Sequence, residues 1–565
     1  MRWFLRGFIP LALISVAFGQ DRTNARSMVI SPYGIVASSQ VQASQAGAEI
    51  LSRGGSVVDA AIAANAALGV MEPDMNGMGG DLFAIYWDAR SGKLYGLNAS
   101  GWAPKGLSIE YLRAKGATRM PSAGIDSVTV PGAVEGWNKL HERFGHLPWK
   151  DLFSPAIFYA ENGFNVEEMI GMDWRDSTQK LRDDPESRRV FLVRDEAPRM
   201  GEIFRNPEVA KALGLLARGG AQVFYSGDIA KAILRTSGEL GGTMTAEDLK
   251  DFSAEWVEPI STTYRGWKVY ELPPNGQGMA ALEMLNIMEQ FAPAKGGPLT
   301  VEELHTRIEA MKLAYADLAR YNADPRFARV PVGGMLSKEY ARERAKLIDP
   351  QKADCNPTAG LPPASDTTYL TAVDREGNIV SLIQSNYSSF GSGITVRGMG
   401  FALQNRGALF MLDPLKPDGL APRKRPFHTI IPAFMERGDD HIGFGIMGGA
   451  NQPLAHAQFV SNLVDYGMNL QAALESARFT VRSNFDVGCR VLIEDRVPGD
   501  VRQQLSSMGH QLEVRGDFSL LMGRGQAIDH DTKTGLNWAA SDARTDGSAE
   551  PEVPPGMRGS SARTN

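Results

Sequence analysis

Ser365-Asp366-Thr367-Thr368-Tyr369-Leu370-Thr371-Ala372-Val373-Asp374 runs out of a loop rich in Pro, Ala and Gly into a β-patterned segment headed by two threonines. A hydroxyl at the head of a strand gains chemistry if the chain is cut before Thr367. The cut exposes an α-amino group beside the threonine hydroxyl, which is a self-contained base and nucleophile. Downstream, Asp374-Arg375-Glu376-Gly377-Asn378 makes a five-residue hairpin loop. Pairing Val373 with Ile379 then sets Thr371 opposite Ser381, Tyr369 opposite Ile383 and Thr367 opposite Ser385. Directly opposed residues hold their Cβ atoms roughly 4.5–5.5 Å apart. Register alone therefore brings a second hydroxyl, Ser385, to where it would orient the new amine. The competing explanation is that Thr and Ser are common on strands and this pair carries no chemistry.

Other segments extend the β pattern. Leu82 to Trp87 reads as a buried strand that returns through Leu94 to Leu97, and Ile442 to Met447 as another. Val128-Thr129-Val130 reads as a strand ending at Pro131-Gly132. Gly448-Gly449 closes the Phe444-Gly445-Ile446-Met447 strand and precedes a helix, Ala455 to Tyr466. Two backbone N–H groups at such a turn suit a developing oxyanion; the alternative is a tight turn that merely needs glycine. The Gly77-Met78-Gly79-Gly80 cluster lacks the Lys-Ser/Thr ending of a phosphate loop and precedes a strand, so nucleotide binding is excluded. Helical spacing marks Val41 to Leu51, the small-residue run Asp59 to Met71, and Leu304 to Tyr321.

Composition narrows the class. The 565 residues are 43% hydrophobic with a net charge of −6, an ordinary globular balance without the basic stripe of a nucleic-acid binder. Arg423-Lys424-Arg425 reads as a solvated loop. Residues 1–19 combine Arg2 and Arg6, an apolar run from Ile9 to Phe18, and small residues at Ala17-Phe18-Gly19. That is the pattern of a secretory signal, with Gln20 as the mature start; an uncleaved anchor is the alternative. No other segment is apolar enough to cross a membrane. The expected location is therefore periplasmic or extracellular. The two cysteines, Cys355 and Cys489, are not expected to form a structural bridge, because Cys355 lies in the loop to be cut, Gln351 to Asp366. No metal motif and no cofactor site is expected, and the polar end from 548 to 565 reads as a disordered tail.

Many ordered motifs resemble those of the γ-glutamyltransferase family over nearly the whole chain after the signal. They include Ala46-Gly47-Ala48-Glu49-Ile50-Leu51, Gly54-Gly55-Ser56-Val57-Val58-Asp59-Ala60-Ala61, Glu72-Pro73 and Val130-Pro131-Gly132. Glu309-Ala310-Met311-Lys312, Asp324-Pro325, Asp366-Thr367-Thr368-Tyr369, Phe390-Gly391-Ser392-Gly393, Lys424-Arg425-Pro426 and Gly448-Gly449 complete the set. The resemblance implies an N-terminal-nucleophile hydrolase with an α+β fold, a four-layer αββα sandwich. It further implies a precursor cut between Asp366 and Thr367 into a large subunit, 20–366, and a small subunit, 367–565, that stay together. By position, Thr367 would be the nucleophile, Ser385 its assistant, and Gly448 and Gly449 the oxyanion hole. The implied substrate is a small-molecule γ-glutamyl amide such as glutathione.

The pocket departs from the family pattern. A recognised γ-glutamyl group needs a cation for its carboxylate and an acceptor for its ammonium, since both are desolvated. The family's transferases carry arginine at the position of Ser100, Asn at Tyr387, Gln at Arg406 and Asp at Leu409, with a serine pair at His428 and Thr429. Losing the acid and gaining Arg406 favours an acyl group without the α-ammonium, unless Arg406 only forms a surface salt bridge. Gln404-Asn405-Arg406-Gly407 and Pro426-Phe427-His428-Thr429 resemble the branch that includes glutaryl-type cephalosporin acylases. Two alternatives thus stand beside the γ-glutamyl reading: a dicarboxylic-amide acylase, and a non-catalytic binding protein that is never cut.

Overall fold

The computed structural model describes residues 24–358, 368–481 and 488–557. Residues 1–19, Asp366, Thr367 and the chain from 558 onward lie outside them. Two seven-stranded sheets stack face to face. The first runs Ser548–Pro551, Ile35–Ser38, Thr368–Val373, Ile379–Ser385, Asp81–Asp88, Lys93–Ala99, Glu255–Val257. The second runs Val29–Ser31, Leu536–Ser541, Arg524–Asp531, Asp440–Met447, Ala433–Arg437, Trp267–Glu271, Ile260–Tyr264.

Period-two alternation divides each central strand between two cores. In Asp81–Asp88, Phe83, Ile85 and Trp87 enter the core between the sheets, while Leu82, Ala84 and Tyr86 enter the outer one. Tyr369, Val373, Ile379 and Ile383 likewise point inward, and Leu370, Ala372, Val380 and Leu382 outward. Phe434, Met447, Ile528 and Ala539 of the second sheet close the inner core. Helices Val41–Ser52 and Val57–Met71 cover the first sheet; Gly278–Met288, Val301–Tyr321 and Asn451–Val464 cover the second. The layers are αββα. Helix Val57–Met71 begins at a Ser56–Asp59 capping box, worth about 1 kcal/mol, and its alanines let it lie close to the sheet.

The hairpin has the expected register, with Val373 opposite Ile379, Thr371 opposite Ser381 and Tyr369 opposite Ile383. Its first strand starts at Thr368, opposite Gln384. Four expectations need correction. Val128-Thr129-Val130 is no strand; Val130 N–H makes a 3.0 Å bond to Trp102 O as an isolated contact before helix Ala133–Phe144. Lys424 and Arg425 are buried rather than solvated, because Arg425 reaches Glu255 and Ser100 O, and Lys424 reaches Gly419 O. The chain end is not a free tail as far as residue 557: Ser548–Pro551 pairs with Ile35–Ser38 at the edge of the first sheet.

The cysteines do form a disulfide, with Cα atoms 4.6 Å apart. Residues ahead of Cys355 are tied down on both sides, Ala353 N–H to Met508 O at 2.8 Å and Asp354 O to Lys312 Nζ at 2.8 Å. The bond closes a sequence separation of 134 residues, a loop whose closure entropy corresponds to about 5 kcal/mol.

Candidate active site

The strand Ile379–Ser385 ends with Ser385 directly opposite Asp81, the first residue of its neighbour. Both are fully buried. Ser385 Oγ accepts the Tyr387 N–H at 2.8 Å, and Tyr387 adopts a positive φ of 82° to make that turn. Asp81 is the electrostatic hub. Its Oδ1 accepts from Gly101 N–H at 2.9 Å, Gly132 N–H at 3.1 Å and Gln404 Nε2 at 2.8 Å. Its Oδ2 lies 3.1 Å from His428 Nε2. Burial pushes the Asp81 carboxyl up to about 6, against the opposing pull of Arg406 and these donors.

His428 is neutral. Burial, then the Arg406 and Arg425 charges, hold it well below the usual imidazole range. Its Nδ1 faces the Ile430 N–H at 3.4 Å and so acts as the acceptor, which leaves the proton on Nε2, donated to Asp81. Phe83 packs against the ring at 4.6 Å. The neighbouring Thr429 accepts at Oγ1 from Arg406 Nη1 at 2.7 Å.

Arg406 is fully buried, and its guanidinium lies 4.7 Å from the Tyr387 ring centre. A surface salt bridge is thereby excluded. Burial lowers it to about 10, so it is still a cation at neutral pH. Its Nε and Nη2 have no hydrogen-bond partner among the described residues. These two N–H groups form one edge of the planar fork, the edge that fits a carboxylate in a bidentate pair. A desolvated cation with that edge unused costs stability unless something anionic comes to it.

Ser100 is tied to His428 through Asn275. Its Oγ accepts from Asn275 Nδ2 at 3.1 Å, and its carbonyl from Arg425 Nε at 2.9 Å. Asn275 O in turn accepts from His428 N–H at 2.9 Å. Gly448 and Gly449 follow the strand Asp440–Met447 with φ values of 136° and 60°, a pair of conformations that only glycine adopts without strain. Gln277 Nε2 links this turn to the pocket, donating to Thr429 O at 2.6 Å and Gly449 O at 2.7 Å. Thus Ser385, Tyr387, Arg406, His428, Thr429, Ser100 and the glycine pair are joined by short bridges. Thr367 and Asp366 lie outside the described residues.

Asp81, Gln277 and Asn275 are absent from the expectations. Asp81 carries a readable signal, a carboxylate at the head of an unbroken apolar run, but its four donors come from remote segments. Asn451 was also missed: its buried carboxamide, in the first turn of helix Asn451–Val464, has no hydrogen-bond partner among the described residues. The Gly77 to Gly80 cluster serves packing, since a Cβ on Gly79 would lie 2.0 Å from Ala402 O.

One group away from this site has metal-like spacing. His305, Glu309 and His510 each place a ligand atom within 4.8 Å of the others. Lys312 Nζ already sits 2.6 Å from Glu309 Oε1, and His305 Nδ1 lies 2.8 Å from His510 Nε2. A cation would have to displace that ammonium, so the trio is better suited to holding segments together.

The Gamma-glutamyltranspeptidase family model matches residues 43–552. The chain is similar to the glutathione hydrolase-like YwrD proenzyme of Bacillus subtilis, with 37% identity over 93% of this chain and 98% of that protein. It is 33% identical to the oxamate amidohydrolase proenzyme of Klebsiella pneumoniae, over 92% of this chain and 98% of the relative. Its fold matches a crystal structure of cephalosporin acylase from Bacillus halodurans with a TM-score of 0.88 and 41% identity, covering 97% and 100% of the two chains. The chain is therefore an enzyme and belongs to the gamma-glutamyltranspeptidase family.

Proposed function

We propose that this chain is a precursor that cuts itself between Asp366 and Thr367 and then hydrolyses amides of short dicarboxylic acids. In the first step Thr367 Oγ attacks the Asp366 carbonyl, the acyl group shifts from nitrogen to oxygen, and water cleaves the ester. That leaves fragment 20–366 and fragment 367–565, the latter with a free α-amine. In turnover the amine takes the Thr367 hydroxyl proton while Oγ attacks the substrate amide. The N–H groups of Gly448 and Gly449 stabilise the oxyanion. The ammonium returns its proton to the leaving amine, and water then releases the acid. Ser385, next to the start of the Thr368–Val373 strand, orients the amine. The names of curated relatives as proenzymes support the cutting step.

The observation that carries the substrate assignment is the unused Nε and Nη2 edge of buried Arg406. It suits the distal carboxylate of the acyl group. Asp81, the carboxylate of this network among the described residues, is committed already: it takes Gly101, Gly132, Gln404 and His428, which disfavours an α-ammonium there. Ser100 offers no charge. Oxamate, named in one relative, is itself a dicarboxylic amide without an ammonium. The second reading is hydrolysis of γ-glutamyl amides such as glutathione, which a relative's name favours. Anilides of glutaric acid and of γ-linked glutamate decide between them. Faster release from the glutaryl compound is expected; faster release from the γ-glutamyl compound would overturn the dicarboxylic assignment.

A further inference from the structure

We propose that the Cys355–Cys489 disulfide becomes a covalent link between two chains once the precursor is cut before Thr367. This rests on the self-cleavage reading above. Cys355 lies upstream of Thr367 and Cys489 downstream, and they are the only two cysteines of the chain. In the precursor the bond closes a loop within one polypeptide. Hydrolysis of the single Asp366–Thr367 peptide bond opens that loop, and the same two sulfurs then join the large fragment to the small one.

The surroundings hold the two sulfur-bearing segments together from both sides of the cut. From the upstream side, helix Val301–Tyr321 supplies His305, whose Nε2 donates to Asp349 O at 2.8 Å. His305 Nδ1 lies 2.8 Å from downstream His510 Nε2, a hydrogen bond across the two segments. Burial, then the Lys312 charge, holds His510 down at about 3, so its imidazole is neutral. Glu309 Oε2 accepts the Asp354 N–H at 3.2 Å, and Lys312 Nζ donates to Asp354 O at 2.8 Å. From the downstream side, Met508 O accepts the Ala353 N–H at 2.8 Å, and Gln511 N–H donates to Cys489 O at 2.7 Å. The buried His305–Glu309–His510 group, unsuited to a cation, thus has a role as the strut behind the disulfide.

The sheets explain why such a link matters. In each of the two seven-stranded sheets the strands of residues 368–551 sit between or beside strands from residues 29–271, so neither fragment holds either of these sheets complete. Once unfolded, two unlinked fragments must find each other by diffusion. Linked fragments meet at a fixed effective concentration, in the millimolar range for short tethers, and refold as one molecule.

Full-length wild-type protein, alkylated before denaturation, is run on denaturing gels with and without reductant. One full-length band without reductant and two with it are expected. Cys355→Ser should give two bands in both lanes. Two bands for wild type without reductant overturn the link and leave self-cleavage standing. One band in both lanes overturns self-cleavage and the inter-chain role together. Refolding by dilution gives a second readout that does not depend on the variant folding well. Non-reduced wild type should recover equally over a hundredfold range of protein concentration, while wild type kept reduced should recover less as it is diluted. Equal concentration dependence in the two samples overturns the proposal.

Discussion

Two fully buried arginines in this molecule are treated oppositely by their surroundings. Arg544 spends all its donors: Nε and Nη2 meet Glu494, Nη1 meets Asp542 and Leu474 O, and Nη2 also meets Ser476 O, at 2.6–3.1 Å. Five N–H groups have five acceptors. Arg406 spends one nitrogen on Thr429 Oγ1 and leaves Nε and Nη2 unused. The first arrangement compensates a buried charge completely and serves the fold. The second leaves two N–H groups open to a ligand, which is why the proposed substrate pocket is centred on it.

Substitution should separate the two roles. Arg406→Met should cost about 2–5 kcal/mol in kcat/KM toward a glutaryl anilide, since it removes one partner of a desolvated ion pair. Its thermal stability should change by about 1 kcal/mol or less, because the buried cation that has gone had two nitrogens without hydrogen-bond partners. Arg544→Met should do the reverse, losing about 3–5 kcal/mol of stability by orphaning Glu494 and Asp542, with kcat/KM of the folded enzyme preserved. Chemical denaturation and anilide kinetics on both variants check this. If Arg406→Met lowers stability as much as Arg544→Met and spares kcat/KM, the contrast collapses.

Ser385→Ala should lower kcat by about tenfold to a hundredfold while KM stays within twofold, because an orienting hydroxyl acts on the amine and not on acyl binding. Wild-type kcat in that variant would remove Ser385 from the mechanism. The smallest effect expected is the pH response of Asp81. Its folded-state value of about 6 lies above the ordinary 3.8, so the folded protein keeps this proton longer than the unfolded chain. Its contribution to stability is complete below 3.8 and is lost as pH rises through about 6. Between pH 7 and 5.5 protonation also removes the negative charge beside Arg406, so KM for a carboxylate-bearing amide should fall a few-fold. Asp81→Asn should abolish that slope; an unchanged slope would assign it to another group.

The central hairpin was legible because turn chemistry and alternation are local. Asp374 to Asn378 set the loop, and Val373–Ile379 pairing carried the register as far as Thr368 and Gln384. Arg406, His428 and Thr429 stand out only as departures from the pattern of the resembled family, and their setting depends on Asp81, whose partners Gly101, Gly132 and Gln404 are separated by long stretches of chain. No local pattern announces such a hub. The disulfide was misread for a related reason: Cys355 lies in a segment that looks like loop in sequence, yet the residues just ahead of it are held by His305, Glu309 and Lys312 on one remote helix and by Met508 on another segment. Lys424 and Arg425 mislead likewise, since a basic triplet looks solvated until Glu255 and Asp324 are folded onto it.

The self-cleavage claim underlies the rest, and N-terminal sequencing of the purified protein tests it most directly. A fragment beginning Thr367-Thr368-Tyr369-Leu370 is expected from wild type, and none from Thr367→Ala, which should stay a single inactive chain. A wild-type preparation that is active yet yields no such terminus would contradict the account.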